Sequence, residues 1–206
     1  MIKVGVFDSG IGGQSVANAI SKARPDIEVT FVDDSKNVPY GTKSPDELYG
    51  LVLPILTDLA KTASVIVVAC NTVSTTLIGR LREVIEVPLI AVEPMVKPAA
   101  EQTKSGIIAV CATPTTLASA RYNWLKQKYA ANIKVLEPDC SDWSAMIEAD
   151  KIDRDKIAQR IEAVCQAGAD MIVLGCTHYH WIEDLIMDLA QGRARIIQPE
   201  SAIVTR

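Results

Sequence analysis

The sequence predicts an α/β protein made of two similar α/β half-domains, whose mainly parallel sheets face each other across a cleft. Three observations carry that expectation. Short apolar runs alternate with helical patterns along all 206 residues, as a parallel sheet with helices on both faces requires. Two of the runs are built alike: Ala-Ser-Val-Ile-Val-Val-Ala-Cys-Asn-Thr ends at Thr72, and Ala-Asp-Met-Ile-Val-Leu-Gly-Cys-Thr-His ends at His178. The pattern also restarts after Glu93-Pro-Met-Val-Lys-Pro98, where two prolines interrupt a strand before a new helix. The expected division is therefore 1–96 and 97–206.

The elements follow in order. Apolar runs of strand length cover Lys3–Phe7, Glu28–Val32, Val65–Ala69, Leu89–Val92, Gly106–Cys111, Ile133–Leu136, Met171–Gly175 and Arg195–Ile197. Helical patterns lie near 13–23, 45–62, 73–85, 114–130, 153–167 and 181–191. The 153–167 stretch shows the reasoning. Ile157, Ile161, Val164 and Cys165 recur at spacings of three and four, and Gly168 supplies a C-terminal stop. Cys165 is thus read as core.

Composition narrows the function classes. The chain is 49% apolar and 22% charged with a net charge of −4, ordinary for a globular protein. It has no basic cluster interleaved with aromatics, so nucleic acid is not an expected partner. No apolar run approaches the roughly 20 residues that span a bilayer, so no membrane association is expected. The opening Met-Ile-Lys-Val-Gly-Val-Phe reads directly as a strand without a cleavable signal pattern. Five cysteines, none spaced Cys-x-x-Cys, suit a reducing cytoplasm better than a disulfide framework.

Chemistry concentrates at the strand ends. Cys70 and Cys176 stand where similar strands meet polar residues, and ligands bind beyond the carboxyl ends of parallel strands. A lone cysteine there would be ordinary core. Two at equivalent places suggest paired thiols facing one small molecule, one removing a proton and the other returning it. The first strand runs into Asp8-Ser9-Gly10-Ile11-Gly12-Gly13 and then a helix, a tight turn able to approach a ligand closely. It lacks the spacing of the common nucleotide loops. Asn71 and Thr72 follow one thiol, and Thr177 and His178 the other. Their hydroxyl and amide groups can hold charged substituents without adding formal charge. His178, two residues after Cys176, can as an imidazolium favour a thiolate. Cys70, Cys176 and His178 lack the paired spacing of a zinc site, so no metal is expected.

Five motifs stand in order: Asp8-Ser-Gly-Ile-Gly-Gly, Pro39-Tyr-Gly-Thr-Lys-Ser44, Ala69-Cys-Asn-Thr72, Glu93-Pro-Met-Val-Lys-Pro-Ala99 and Leu174-Gly-Cys-Thr-His-Tyr179. Together they resemble the glutamate racemases of the aspartate/glutamate racemase superfamily, up to about residue 197. The resemblance implies an enzyme free of pyridoxal phosphate, metal and flavin. In it one cysteine takes the α-proton from one face of glutamate, and the other reprotonates the opposite face. Cys70 is then expected to act on D-glutamate and Cys176 on L-glutamate. Asp8, His178 and Glu148 match the assisting groups. Ser9, Tyr40, Gly41, Asn71, Thr72, Thr113 and Thr177 match substrate-holding positions, with Asp8 and His178 among them. Thr115 and Thr116 lie in the same segment as Thr113. The family also implies D-glutamate supply for peptidoglycan, a cytoplasmic setting and a homodimer as the candidate assembly.

The chain departs from the family pattern in places. His180-Trp181 replaces an expected proline after Cys-Thr-His-Tyr, placing a bulky, titratable pair near the cleft. Gln198-Pro-Glu-Ser201 replaces Asp-Ser-Gly, and the chain stops at Arg206 where relatives continue and return to the first half. Pro138-Asp-Cys-Ser-Asp-Trp143 is divergent, with Cys140 expected to be partly exposed. Two alternatives therefore stay open: a racemase of aspartate or another acidic amino acid, and a non-catalytic binding module on a racemase scaffold.

Overall fold

The computed structural model describes residues 2–205. The first sheet comprises β1 (Lys3–Asp8), β2 (Glu28–Asp33), β3 (Val65–Val68) and β4 (Leu89–Ala91), and the second β5 (Ile107–Ala112), β6 (Lys134–Leu136), β7 (Met171–Gly175) and β8 (Arg195–Ile197). The first has the order β2-β1-β3-β4 and the second β6-β5-β7-β8. All pairings are parallel, and the two orders correspond strand for strand. The order reverses between β1 and β3 and again between β5 and β7. Those are the switch points where an open α/β sheet leaves a crevice beyond its strand ends.

The helices are α1 (Gly13–Ala23), α2 (Pro45–Ala60), α3 (Asn71–Val84), α4 (Val96–Gln102), α5 (Pro114–Ala118), α6 (Ala120–Tyr129), α7 (Trp143–Glu148), α8 (Arg154–Gln166), α9 (Glu183–Ala190) and α10 (Glu200–Thr205). Each sheet is buried on both faces, and strand alternation sorts the side chains. Phe7, Ile66 and Val68 pack with Leu48, Val52 and Leu56 of α2. Val4, Val6 and Val67 turn to Val16 and Ile20 of α1 on the other face, where Ile203 of α10 joins them. In the second half Cys111, Ile172 and Leu174 meet Ile157 and Ile161 of α8. Ile108, Val110 and Val173 meet Val96 of α4 and Tyr122 of α6. Cys165 joins the core at the α8 face, and Gly168 ends that helix region at φ +90°, a conformation that favours glycine.

Several expected boundaries move. The pattern at 114–130 divides into α5 and α6, because Ser119 is extended (φ −67°, ψ 144°) and its hydroxyl caps α6 by accepting the Tyr122 N–H. The helix expected at 181–191 is preceded by a 3-10 turn over Thr177–Ile182, leaving α9 shorter. Cys140 is not partly exposed: it is buried beside Trp143, with its carbonyl accepting from the Tyr179 hydroxyl at 2.8 Å. A fully buried tryptophan anchors this stretch against Tyr179 at 5.1 Å between ring centroids, so the divergent segment packs inward. No helix among the described residues is long and apolar enough to cross a membrane.

Candidate active site

Four strand ends deliver the site. β1 runs out into Asp8 and Ser9, β3 leads to Cys70, β5 to Thr113 and β7 to Cys176. Ser9, Tyr40, Gly41, Cys70, Thr72, Thr113, Cys176 and His178 line one narrow crevice between the halves. Val38, Pro39 and Ser144 complete the wall. Cys70 and Cys176 are 4% and 6% exposed, and both are free thiols. Core packing alone does not bring so many polar side chains to one place.

Each wall supports its thiol differently. The Cys70 thiol donates to Ser9 Oγ at 3.6 Å. Burial, with the nearby Asp8 charge adding to it, pushes Cys70 up to about 12. On the opposite wall His178 Nδ1 lies 3.6 Å from Cys176 Sγ, while its Nε2 donates to Glu148 Oε1 at 2.6 Å. Burial pulls His178 down, but its hydrogen bonds to Cys176 and Glu148, with the charges of Cys176 and Asp8, outweigh it and raise it to about 11. Glu148 is correspondingly lowered, chiefly by the His178 bond. Asp8 is fully buried and raised by desolvation, with His178 and Thr177 opposing; Thr177 donates to its Oδ2 at 3.0 Å.

The halves are joined around the crevice. The Ile11 N–H donates to Glu148 Oε1 at 2.9 Å, so the glycine-rich turn shares the carboxylate that holds His178. A Cβ on Gly12 would stand 2.6 Å from the His178 backbone nitrogen and 2.7 Å from the Thr177 carbonyl carbon, so only glycine permits this approach. Thr72 and Thr113 hydroxyls lie 3.0 Å apart, and Thr116 extends the chain at 3.0 Å from Thr113. Thr115 donates to the Gly41 carbonyl at 2.7 Å, tying the 38–43 loop to α5.

The expected site residues thus fall into two groups. Ser9, Tyr40, Gly41, Cys70, Thr72, Thr113, Cys176 and His178 reach the crevice, whereas Asp8, Glu148 and Thr177 stand behind its walls. The Tyr40 ring faces the crevice, but its hydroxyl donates to Asp34 at 2.6 Å and is held well above its ordinary range, mainly by burial. Asn71 is buried at the start of α3, and neither of its amide atoms has a protein partner. Val38 and Ser144 escaped the sequence reading; Ser144 stands one helical turn before Glu148, a spacing that could have marked it. His180 and Trp181, expected near the cleft, do not line it. His180 Nδ1 lies 3.4 Å from Ser15 Oγ and 3.8 Å from Glu200 Oε2, and Trp181 is 54% exposed. Among the described residues no group of three or more His, Cys, Asp or Glu is placed to hold a metal.

Fold and site together define a class: paired parallel α/β half-domains, each bringing one buried cysteine from the corresponding strand to a shared crevice. The chain matches the Asp/Glu/Hydantoin racemase family over residues 14–206. It is 38% identical to a glutamate racemase of Stutzerimonas stutzeri, an alignment covering 97% of this chain and 78% of that protein. With a glutamate racemase of Herpetosiphon aurantiacus it shares 35% identity over 97% of this chain and 81% of the relative. Its backbone superposes on the Escherichia coli glutamate racemase, solved with L-glutamate and the activator UDP-MurNAc-Ala, with TM-score 0.90 at 28% identity over 100% and 80% of the two chains. The Francisella tularensis glutamate racemase, solved with D-glutamate, gives 0.83 at 25% identity over 99% and 78%. The chain belongs to the Asp/Glu/Hydantoin racemase family and is an isomerase.

Proposed function

We propose that this enzyme interconverts L- and D-glutamate without a cofactor, by proton transfer between two thiols at the α-carbon. The carrying observation is that Cys70 and Cys176, from equivalent strand ends of opposite halves, line one crevice. A substrate α-carbon between them presents one face to each sulfur. The walls are unequal at rest, as a first proton transfer needs. Cys70 holds its proton, being raised to about 12, while His178 sets an imidazolium beside Cys176 to stabilise charge on that sulfur. Abstraction of the α-proton by Cys176 with return from Cys70 converts L-glutamate to D-glutamate, and the reverse order runs backwards. Hydroxyls and backbone amides around the crevice supply fixed dipoles for the carboxylate as carbanion character develops.

Glutamate as substrate is supported by eight relatives at 34–38% identity that bear the name glutamate racemase. One of the two motives for an aspartate reading, the His180-Trp181 pair beside the Cys176 motif, loses weight because neither residue lines the crevice; the other is the divergent Pro138–Trp143 stretch. The bonded Cys176–His178–Glu148 chain is more than a passive binding module requires. We assign the product to peptidoglycan supply and the enzyme to the cytoplasm. Purified protein without pyridoxal phosphate should interconvert the glutamate enantiomers, followed by circular dichroism. In D₂O the α-proton should be lost, followed by NMR. Cys70→Ser or Cys176→Ser should lower the rate by at least about a thousandfold. Full activity with both thiols replaced would rule the mechanism out, and faster turnover of aspartate would move the substrate.

A further inference from the structure

Helix α7 carries two registers. Trp143 and Ile147 enter the second-half core, whereas Ser144 and Glu148, also four apart, face the site: Ser144 lines the crevice and Glu148 holds His178. Ser144 is only 5% exposed, and among the described residues its hydroxyl has no protein hydrogen bond. Ser144 stands in the first turn of α7, where no helical carbonyl lies four residues back to take its hydroxyl. The other lining hydroxyls have partners. Ser9 accepts from Cys70, Thr72 and Thr113 bond each other, and Tyr40 donates to Asp34. Among the described residues no lysine or arginine lines the crevice, so a dicarboxylate bound there relies largely on hydroxyl and amide donors beside His178.

We propose that Ser144 is a further substrate-contacting residue, its hydroxyl donating to a carboxylate oxygen of the substrate from the Cys176 wall. The proposal rests on the glutamate reading above and names a group that would anchor that substrate. It gives a role to a hydroxyl that opens on the crevice without a protein partner.

The test compares wild type, Ser144→Ala and Ser144→Thr by kcat/KM for glutamate and by calorimetric Kd for glutamate and glutamine. Loss of one hydrogen bond to a charged oxygen should weaken glutamate binding and kcat/KM about tenfold in the alanine variant. The threonine variant, which keeps a hydroxyl, should stay within about threefold of wild type, allowing for its added methyl. A loss for glutamate alone assigns the distal carboxylate; an equal loss for glutamine assigns the α-carboxylate. Unchanged Kd and kcat/KM in the alanine variant, even with a lowered Tm, would overturn the proposal, as would failure of the wild type to bind glutamate. If the wild type binds glutamate in a Ser144-dependent way but does not racemise it, the racemase reading fails and this contact stands.

Discussion

Replacing Glu148 by glutamine isolates one charge in the site. The carboxylate accepts from His178 Nε2 at 2.6 Å and from the Ile11 N–H at 2.9 Å, and the side chains of His178 and Glu148 are 3% and 17% exposed. A glutamine carbonyl can keep both bonds, so the change removes the anion and leaves the shape. The difference between a charged and a neutral acceptor is about 1–1.5 kcal/mol. If that stabilisation is expressed in the transition state, kcat/KM should fall roughly 5- to 13-fold. The equilibrium constant between enantiomers in water is one, so the loss must be identical in both directions, and any asymmetry appears only in how kcat and KM divide it. The pH profile provides a second reading. His178 is held up to about 11 partly by Glu148, so the alkaline limb that reports loss of its proton should move toward lower pH in the variant. Initial rates from each enantiomer between pH 6 and 12, followed by circular dichroism, measure both. A kcat/KM within twofold of wild type and an unmoved alkaline limb would refute the assignment of Glu148 to His178.

The same pair makes a stability prediction. His178 lies above its unfolded value of 6.5, so its contribution is complete below that pH and is lost as pH rises toward about 11. The Tm gap between wild type and Glu148→Gln should therefore be widest near pH 6 and narrow on the alkaline side; a gap that widens would contradict it. Gly12→Ala should lower Tm by roughly 2 to 12 °C, because the added carbon must push apart backbone at His178 and Thr177, and scanning calorimetry reads it directly. Iodoacetamide labelling of Cys70, followed by peptide mass spectrometry, should rise about tenfold per pH unit between 7 and 10 without a plateau, since the thiol is raised to about 12. Asp8→Asn should bring that rise to lower pH, because the Asp8 charge contributes to it; a plateau below pH 9 in the wild type would show that burial does not hold the thiol.

The strands were legible because each is an apolar run closed by polar residues, and β7 and β8 fall on their expected bounds. The paired cysteines were legible for a related reason, since equivalent strands in equivalent sheets deliver equivalent ends. Local sequence was less informative where tertiary packing decides. Cys140 sits in a polar stretch, and only the burial of Trp143 against Tyr179 draws it inward. His180 read as a cleft residue by adjacency, but the 3-10 turn over Thr177–Ile182 points it at Ser15 and Glu200 instead.

The matching strand orders of the two sheets carry a consequence for how such a catalyst arises. One half alone offers a single sulfur to a single face of the substrate, so it could at most exchange the α-hydrogen with solvent and return it where it came from. Inversion needs a second donor on the opposite side, and a repeated architecture meets that need by presenting the same strand end again from across the gap. The repetition extends to the scaffold and stops at the supporting groups: a serine and an aspartate attend one sulfur, a histidine and a glutamate the other. On the proposed two-thiol mechanism, a mirror-related pair of substrates is served by two halves that share a plan and differ in their chemistry, and handedness is exchanged by a molecule that has only one hand.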